Sequence, residues 1–488
     1  MKANTRARND GASEVHYLGL VEVARKIRAG ALTSAEVTAA ILDRIAKLDG
    51  ALGSYTAVLA ERAMARARQA DDEIGRGLRR GPLHGVPVAV KDLCFTAFAP
   101  TAAGMHIHRD FVPDYDATVV KRLEAAGAII VGKLTMTEGA FSWHHPEMRK
   151  AINPWSAEVW PGVSSTGSGV ATAAGLCFGS LGSDTGGSIR FPSTACGLTG
   201  LKPTWGRVSR HGIFPLANSL DHIGPMARSA EDAAALLSVV AGADADDPTA
   251  LVAPVPNYLA RLDDGIRGVR IGLAHDFAFT GLDADVSAVL DRAVETFVDL
   301  GARIAPVEVP WTRDVADIWN SICVTEARIS HEQTYPSRAS EYGREFAAIL
   351  ESFADVDALS LGKAMQRRLA FNGRIADIFE TVDLLIVPAI PTRSPTNAEW
   401  TAMTEGPLED IAGFIRFTST FNITGSPTVT LPGGFDKRGV PVGFQLVGRH
   451  LAEDLLLRAG HAYQQVTDWH TRHPKLEGAK DKRPVVAA

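Results

Sequence analysis

The stretch from Trp160 to Pro203, WPGVSSTGSGVATAAGLCFGSLGSDTGGSIRFPSTACGLTGLKP, concentrates glycine, small residues and hydroxyls to a degree that ordinary core packing has no use for. Two turns stand out within it, Gly162 to Gly167 (GVSSTG) and Asp184 to Arg190 (DTGGSIR). Each places hydroxyls and backbone N–H groups just ahead of a segment expected to be helical, and such a helix start presents donors without an internal partner. Glycine is also the default wherever a chain needs positive φ or close approach, so either turn taken alone is equally well explained by backbone geometry.

A third segment tips the balance. In Gly85 to Asp92 (GVPVAVKD) an alternating apolar run ends in Lys91, which reads as the end of a half-buried strand. A lysine there is either an exposed terminator or a desolvated base. A serine hydroxyl needs a neighbouring base to become a nucleophile, and no histidine lies inside the Gly/Ser stretch, the nearest being His144, His145 and His211. A lysine can take that role once burial lowers its pKa toward neutrality.

These segments, together with PDYDATVVKRLEAAGAIIVGK (113–133), INPW (152–155), GSPTVTLPGG (425–434) and GVPVGFQLVGR (439–449), resemble the amidase signature family of serine hydrolases over most of the chain. The resemblance implies a Ser–cis-Ser–Lys triad, carried onto Ser188 as nucleophile, Ser164 as relay and Lys91 as base, with an acyl-enzyme intermediate and no cofactor or metal. The backbone N–H groups of Thr185, Gly186, Gly187 and Ser188 are the candidates for an oxyanion hole, since two successive glycines let the main chain approach a substrate oxygen. Asp184 and Arg190 bracket the nucleophile turn and read as its support. Ser165, Thr166 and Ser168 read as helix caps, and Ser183 and Ser193 as equally structural. The family pattern GGSSGGSA is altered here to GVSSTGSG by Val163, Thr166 and Gly169.

Family members hydrolyse fatty, aryl and peptide amides, carbamates, malonamate-like acids, and glutamine within a tRNA-dependent amidotransferase. Aromatic residues in Thr135 to Trp143 (TMTEGAFSW), and Phe191 directly after Arg190, favour an apolar substrate. The glutaminase chains of amidotransferases usually have Gln at the position of Phe191 and a Ser/Gly-rich segment where this chain has HHPEMRKA (144–151), so both departures weigh against a glutaminase. The expectation is a stand-alone amidase for apolar, aryl amides, with aryl carbamates and esters as further substrates. The alternative is a partner-dependent amidotransferase A-type subunit releasing ammonia from glutamine. Met105, Phe141, Trp143, Phe191, Ile390 and Phe417 are the candidate pocket residues, with ordinary core as the competing explanation.

Composition bounds the rest. A formal charge of −6 over 488 residues leaves no basic footprint for nucleic acid. Neither turn has the GxxxxGK[ST] or GxGxxG pattern of a nucleotide site, and His106, His108, His144 and His145 lack metal-ligand spacing. Cys94, Cys177, Cys196 and Cys323 lie far apart and read as free thiols of a reducing compartment. With no secretory h-region and no apolar run of about 18 residues, the chain is expected to be cytoplasmic, off the membrane, and a monomer or homodimer acting on a small-molecule amide or carbamate.

Alternating strand and helix patterns predict an α/β fold, which the resemblance sharpens to a single mixed sheet between helices on both faces. Strands are expected at 86–90, 128–131, 269–273, 384–390 and 442–447, and helices at 118–126, 284–299 and after the capping box Thr33-Ser34-Ala35-Glu36. The expected organisation is a polar arm (1–16), one domain (17–474) with a signature core at about 80–230 and a more variable region at about 240–380, and a mobile tail (475–488).

Overall fold

The computed structural model describes residues 15–352, 356–406 and 408–476. The arm and tail expected from the sequence lie almost wholly outside them, except that Val15 and His16 already belong to a 3₁₀ turn and Val15 is buried.

Eleven strands form one sheet: β1 (Tyr55–Val58), β2 (Pro87–Lys91), β3 (Ile129–Leu134), β4 (Gly179–Asp184), β5 (Thr199–Lys202), β6 (His222–Ala227), β7 (Arg270–Leu273), β8 (Arg303–Pro306), β9 (Leu384–Pro388), β10 (Thr428–Phe435) and β11 (Pro441–Gly448). Their spatial order is β1-β3-β2-β4-β6-β5-β10-β11-β9-β7-β8. Pairing is parallel for β3/β2/β4 and for β9/β7/β8, and antiparallel elsewhere, so the sheet is mixed. Every residue of β2, β3, β4, β5, β6, β9 and β11 is buried. Successive strand side chains point to opposite faces, so burial of both sets means that helices cover both faces. This is the expected α/β sandwich.

The five expected strands are all present, as are the helices Thr118–Ala125, Ala284–Asp299 and Ser34–Leu52. The last opens with the reciprocal capping box, Thr33 and Glu36 each satisfying the other's backbone N–H. β2 departs from expectation in one respect: it is a central strand buried throughout, not a half-buried one.

β4 has no apolar alternation to announce it. Its sequence, GSLGSD, is small because its neighbours come close: a Cβ on Gly182 would sit 2.8 Å from Met226 Sδ and 3.0 Å from Ser165 Oγ. The close approach brings the Gly/Ser stretch together, with β4 running between β2 and β6 and ending at Asp184, where the DTGGS turn begins.

Candidate active site

Lys91 closes β2 and is completely buried. Its Nζ lies 2.6 Å from Ser164 Oγ, 2.8 Å from Ser183 Oγ and 3.0 Å from Ser165 Oγ. Burial lowers the ammonium's pKa to about 7, against the opposing pull of the Asp221 and Asp184 carboxylates. The amine thus faces hydroxyls, with no carboxylate in ion-pair contact among the described residues. The Val163–Ser164 peptide bond is cis.

Ser165 differs from its cap reading and Ser183 from its purely structural one. Ser165 precedes the helix Thr166–Ala173 but its side chain makes no cap. It donates to the Ser183 carbonyl (3.1 Å) and accepts from the Ser183 N–H (3.2 Å), stitching the helix start to β4 while touching Lys91. Ser183 is the third contact of Lys91 rather than a bystander. Ser168 donates to the Leu181 carbonyl, Thr166 lies at 3.4 Å from that of Thr135, and Ser193 donates back to Ile189 within its own helix.

The DTGGS turn is held by Asp184. Its carboxylate pairs with Arg190 through Nη2 (2.8 Å) and Nε (3.0 Å), both side chains being fully buried. It also accepts from Asn422 Nδ2 (2.8 Å) and from the N–H groups of Gly187 (2.9 Å) and Ile189 (3.1 Å). Burial pushes this carboxyl's pKa up, but the Arg190 guanidinium and Asn422 hold it well below the usual carboxylate range. The Gly187 N–H is thereby committed to Asp184, which removes it from the free donors expected of the turn.

The peptide planes before Gly187 are fixed from outside. Trp319 Nε1 donates to the Thr185 carbonyl (2.8 Å) and Thr418 Oγ1 to the Gly186 carbonyl (2.6 Å). In a trans peptide the N–H points opposite to the C=O, so the Gly186 N–H is turned away from Trp319. Thr185 Oγ1 donates to Asp221 Oδ1 (2.5 Å), whose carboxyl is raised to about 6 by burial. Gly187 has φ 137°, and a Cβ there would sit 2.4 Å from the Phe191 ring, so glycine is required at that position.

Ser188 and the Thr185–Gly186 backbone border a cavity of about 430 Å³. Phe141, Trp143 and Phe191 line it, together with Trp319, Trp400, Leu216, Val324, Ile349, Ile411 and Ile415; its polar lining comes from Ser142, Asn320, Ser352 and Thr404 besides the turn. Among the described residues, no Asp, Glu, Lys, Arg or His lines it. Lys91 and Ser164, both buried, are not among its lining residues.

Met105, Ile390 and Phe417 do not reach the cavity. Each is at most 1% exposed and belongs to the hydrophobic core. In the helix Leu408–Ile423, Ile411 and Ile415 are four residues apart and share the cavity face, whereas Phe417, two residues on, turns about 200° away and packs edge-on against Phe277 at 5.1 Å. The sequence reading missed Trp319, Trp400, Asp221 and Asn422. They come from distant helices and loops, and no local pattern links them to the turn.

His106 and His108, which lack metal-ligand spacing, form a 3₁₀ turn, His106 stacking on His145 at 5.4 Å. Among the described residues no group of three or more His, Cys, Asp or Glu gathers as a metal site. All four cysteines are buried free thiols. No helix among the described residues is long and apolar enough to cross a membrane.

Comparison with known proteins shows which family the chain resembles over most of its length. The family model described as Amidase matches residues 36–457. The proposed amidase AmiD of Mycobacterium tuberculosis is 50% identical over 462 residues, covering 95% of this chain and 97% of AmiD. The A chain of the glutamyl-tRNA(Gln) amidotransferase from Carboxydothermus hydrogenoformans is 38% identical, covering 95% of this chain and 100% of that one. The solved structure of the native peptide amidase from Stenotrophomonas maltophilia superposes with a TM-score of 0.79 at 29% identity, covering 94% and 97%.

Proposed function

This chain belongs to the amidase family and is an amide-hydrolysing enzyme, and on that premise we propose that it acts on apolar, aryl-bearing amides through Ser188, Ser164 and Lys91. The observation that carries the proposal is a buried Lys91 amine 2.6 Å from Ser164 Oγ, together with an aromatic cavity that Ser188 borders and that no charged side chain among the described residues lines.

Ser188 Oγ attacks the amide carbonyl as its proton passes to Ser164 Oγ, whose own proton moves to neutral Lys91. The carbonyl oxygen becomes an oxyanion stabilised by N–H groups of Thr185, Gly186 and Ser188, each worth roughly a hundredfold to a thousandfold in turnover. The Lys91 ammonium then returns its proton through Ser164 to the departing nitrogen as the C–N bond breaks, leaving Ser188 acylated. Water attacks that ester, its proton passing through Ser164 to Lys91, and the ammonium returns the proton by the same route to Ser188 Oγ as the ester C–O bond breaks and the acid leaves. A lysine whose pKa is near 7 can both accept and return a proton at neutral pH.

The cavity supports the apolar reading. Its volume suits a ring with a short linker, and burying such a ring contributes about 1.5–3 kcal/mol. Aryl carbamates and esters offer the same carbonyl. The glutaminase reading, which the likeness to the amidotransferase chain keeps in view, is opposed by this lining: glutamine's α-carboxylate and α-ammonium would find no charged partner there among the described residues.

The test is turnover by the purified chain of phenylacetanilide, its phenyl ester analogue and glutamine. Hydrolysis of the anilide with no ammonia from glutamine is expected. Ammonia release from glutamine with an inert anilide would overturn the apolar reading, and anilide turnover that survives Ser188→Ala would overturn the nucleophile.

A further inference from the structure

The cavity at Ser188 is apolar except at a few points, and these differ in whether their hydrogen bonds are already spent. Thr404 Oγ1 accepts from Trp143 Nε1 (3.3 Å) and donates to the Thr401 carbonyl (3.0 Å), and Ser352 Oγ donates to the Ile349 carbonyl (2.8 Å). Thr185 Oγ1 is committed to Asp221. Besides Ser188 itself, Asn320, Ser142 and Trp400 carry polar side-chain atoms that bond to nothing among the described residues. Ser142 and Trp400 also border a second cavity, and Asn320 does not. Asn320 has the largest unspent capacity, with two N–H donors and a carbonyl acceptor on one half-buried side chain. Asn422, by contrast, spends its amide on Asp184 and Arg190 inside the core.

The helix Arg313–His331 sets both the direction and the depth of this side chain. Trp319, Asn320 and Val324 are its cavity residues. At roughly 100° per residue, Asn320 falls between Trp319 and Val324 around the helix axis, so its Cα–Cβ bond points within the arc that faces the cavity. Trp319 spans from the helix to the DTGGS turn: its Nε1 reaches the Thr185 carbonyl (2.8 Å), and a Cβ on Gly186 would sit 2.6 Å from its ring. The helix therefore stands one indole away from the turn. Asn320, next to Trp319 on that helix, is set back from the reacting carbonyl by about the length of an aromatic ring rather than beside it.

We propose that Asn320 is a specificity-determining residue, and that it selects substrates whose aryl acyl group carries a neutral hydrogen-bonding substituent on the ring, a phenolic hydroxyl being the simplest. The hydroxyl donates to the Asn320 carbonyl oxygen or accepts from its amide N–H, while the ring rests on the aromatic and aliphatic walls. An acidic substituent does not suit the same place, because no charged side chain among the described residues lines the cavity to repay the desolvation of a carboxylate. The assignment rests on the proposed roles of Ser188 and Ser164: the acyl half stays on the nucleophile, and the cavity borders Ser188 and not Ser164, so the acyl half is the one that meets Asn320.

Calorimetry on Ser188→Ala, which cannot be acylated at that position, reads binding apart from turnover. The ligands are the anilides of 3- and 4-hydroxyphenylacetic acid and of their methyl counterparts, which match the hydroxyl in size and lack its hydrogen bond. The ratio of affinities, hydroxyl over methyl, is expected to fall about tenfold at one ring position at least when Asn320→Leu is added, because the hydroxyl then faces an apolar side chain. The ratio compares two ligands on one protein, so a general loss of affinity cancels, and Asn320→Ala supplies the same reading if leucine overfills the site. Ser142→Ala should change the ratio by less than about twofold. A ratio unchanged by both Asn320 variants at both positions would overturn the inference, as would an equal fall with Ser142→Ala. So would an Asn320-dependent advantage for phenylacetanilide hydroxylated on its anilide ring, which would put the wrong half of the substrate beside Asn320. Turnover by the unmodified chain is read separately: bound ligands that are never hydrolysed would sink the roles of Ser188 and Ser164 while the Asn320-dependent ratio stands, and hydrolysis with a ratio indifferent to Asn320 would sink this inference alone.

Discussion

Lys91 and Lys133 end neighbouring parallel strands and are both fully buried, with Val90 paired to Lys133 and Lys91 to Leu134. That register sends the two lysine side chains to opposite faces of the sheet. On one face Lys133 Nζ meets the Asp92 carboxylate at 3.2 Å, the hydroxyls of Thr101 and Thr96 at 2.7 and 3.2 Å, and the Pro100 carbonyl at 3.1 Å. On the other, Lys91 meets three serine hydroxyls and, among the described residues, no carboxylate in ion-pair contact. Equal burial therefore gives two different lysines. A counter-charge in contact repays the desolvation of an ammonium, whereas hydroxyls repay it only in part, and the amine beside them can give up its proton near neutrality.

Replacing Lys91 tests this contrast most severely. Lys91→Ala should cut anilide turnover by about 10³-fold or more, and that of the matched phenyl ester by distinctly less, because a phenoxide leaves without protonation whereas an amine does not. Equal proportional losses would refute a shared acid–base relay. The pH profile carries the same information. In the wild type, kcat/KM should rise about tenfold per unit on the acid side and level off above about pH 7, as the Lys91 ammonium loses its proton. Glu138, a buried carboxyl raised to about 7, titrates in the same range, so Glu138→Gln should keep that limb and Lys91→Ala should abolish it.

Lys133→Met should reverse the pattern. It leaves Asp92 buried without its counter-charge, so a loss of about 3–5 kcal/mol in denaturant unfolding is expected, with the acid limb of whatever folds still centred near 7. A limb displaced in this variant would merge the two lysines into one system and break the comparison.

Smaller effects should follow around the amine and the cavity. Ser165→Ala removes a hydroxyl that accepts from the ammonium, so the acid limb should move to lower pH and turnover fall about tenfold. Trp143→Ala should change the ratio of rates between phenylacetyl and acetyl anilides by about tenfold, since the ring walls the cavity. Phe417→Ala should lower the melting temperature and leave that ratio alone, because its ring packs in the core against Phe277.

Much of the site is legible in the chain because its parts are local. The turn Asp184 to Arg190 closes on itself: Asp184 accepts from Gly187, Ile189 and Arg190, all within six residues. Phe141 and Trp143 were readable as cavity residues through the family resemblance of their segment, and Phe191 because it directly follows Arg190 within the Gly/Ser stretch. Met105, Ile390 and Phe417 were equally apolar and equally plausible, and only helix phase and strand placement separate them from Ile411 and Ile415. β4 was invisible because close approach favours small residues, which erases the alternation by which a strand is recognised.

The sequence alone determined the α/β layering through its periodicity and, through the resemblance of its motifs to a known family, the mixed sheet and the amide-hydrolysing chemistry, because those motifs are runs of a few residues legible without their neighbours. Tertiary structure decided the partners of each group: that Ser183 and Ser165 surround Lys91, that Gly187 spends its N–H on Asp184, and that Trp319 and Thr418 orient the turn from more than 130 positions away. The reason is electrostatic. A lysine's protonation and an N–H's availability depend on which dipoles and charges stand within a few ångströms, and those are delivered by parts of the chain that local sequence does not relate.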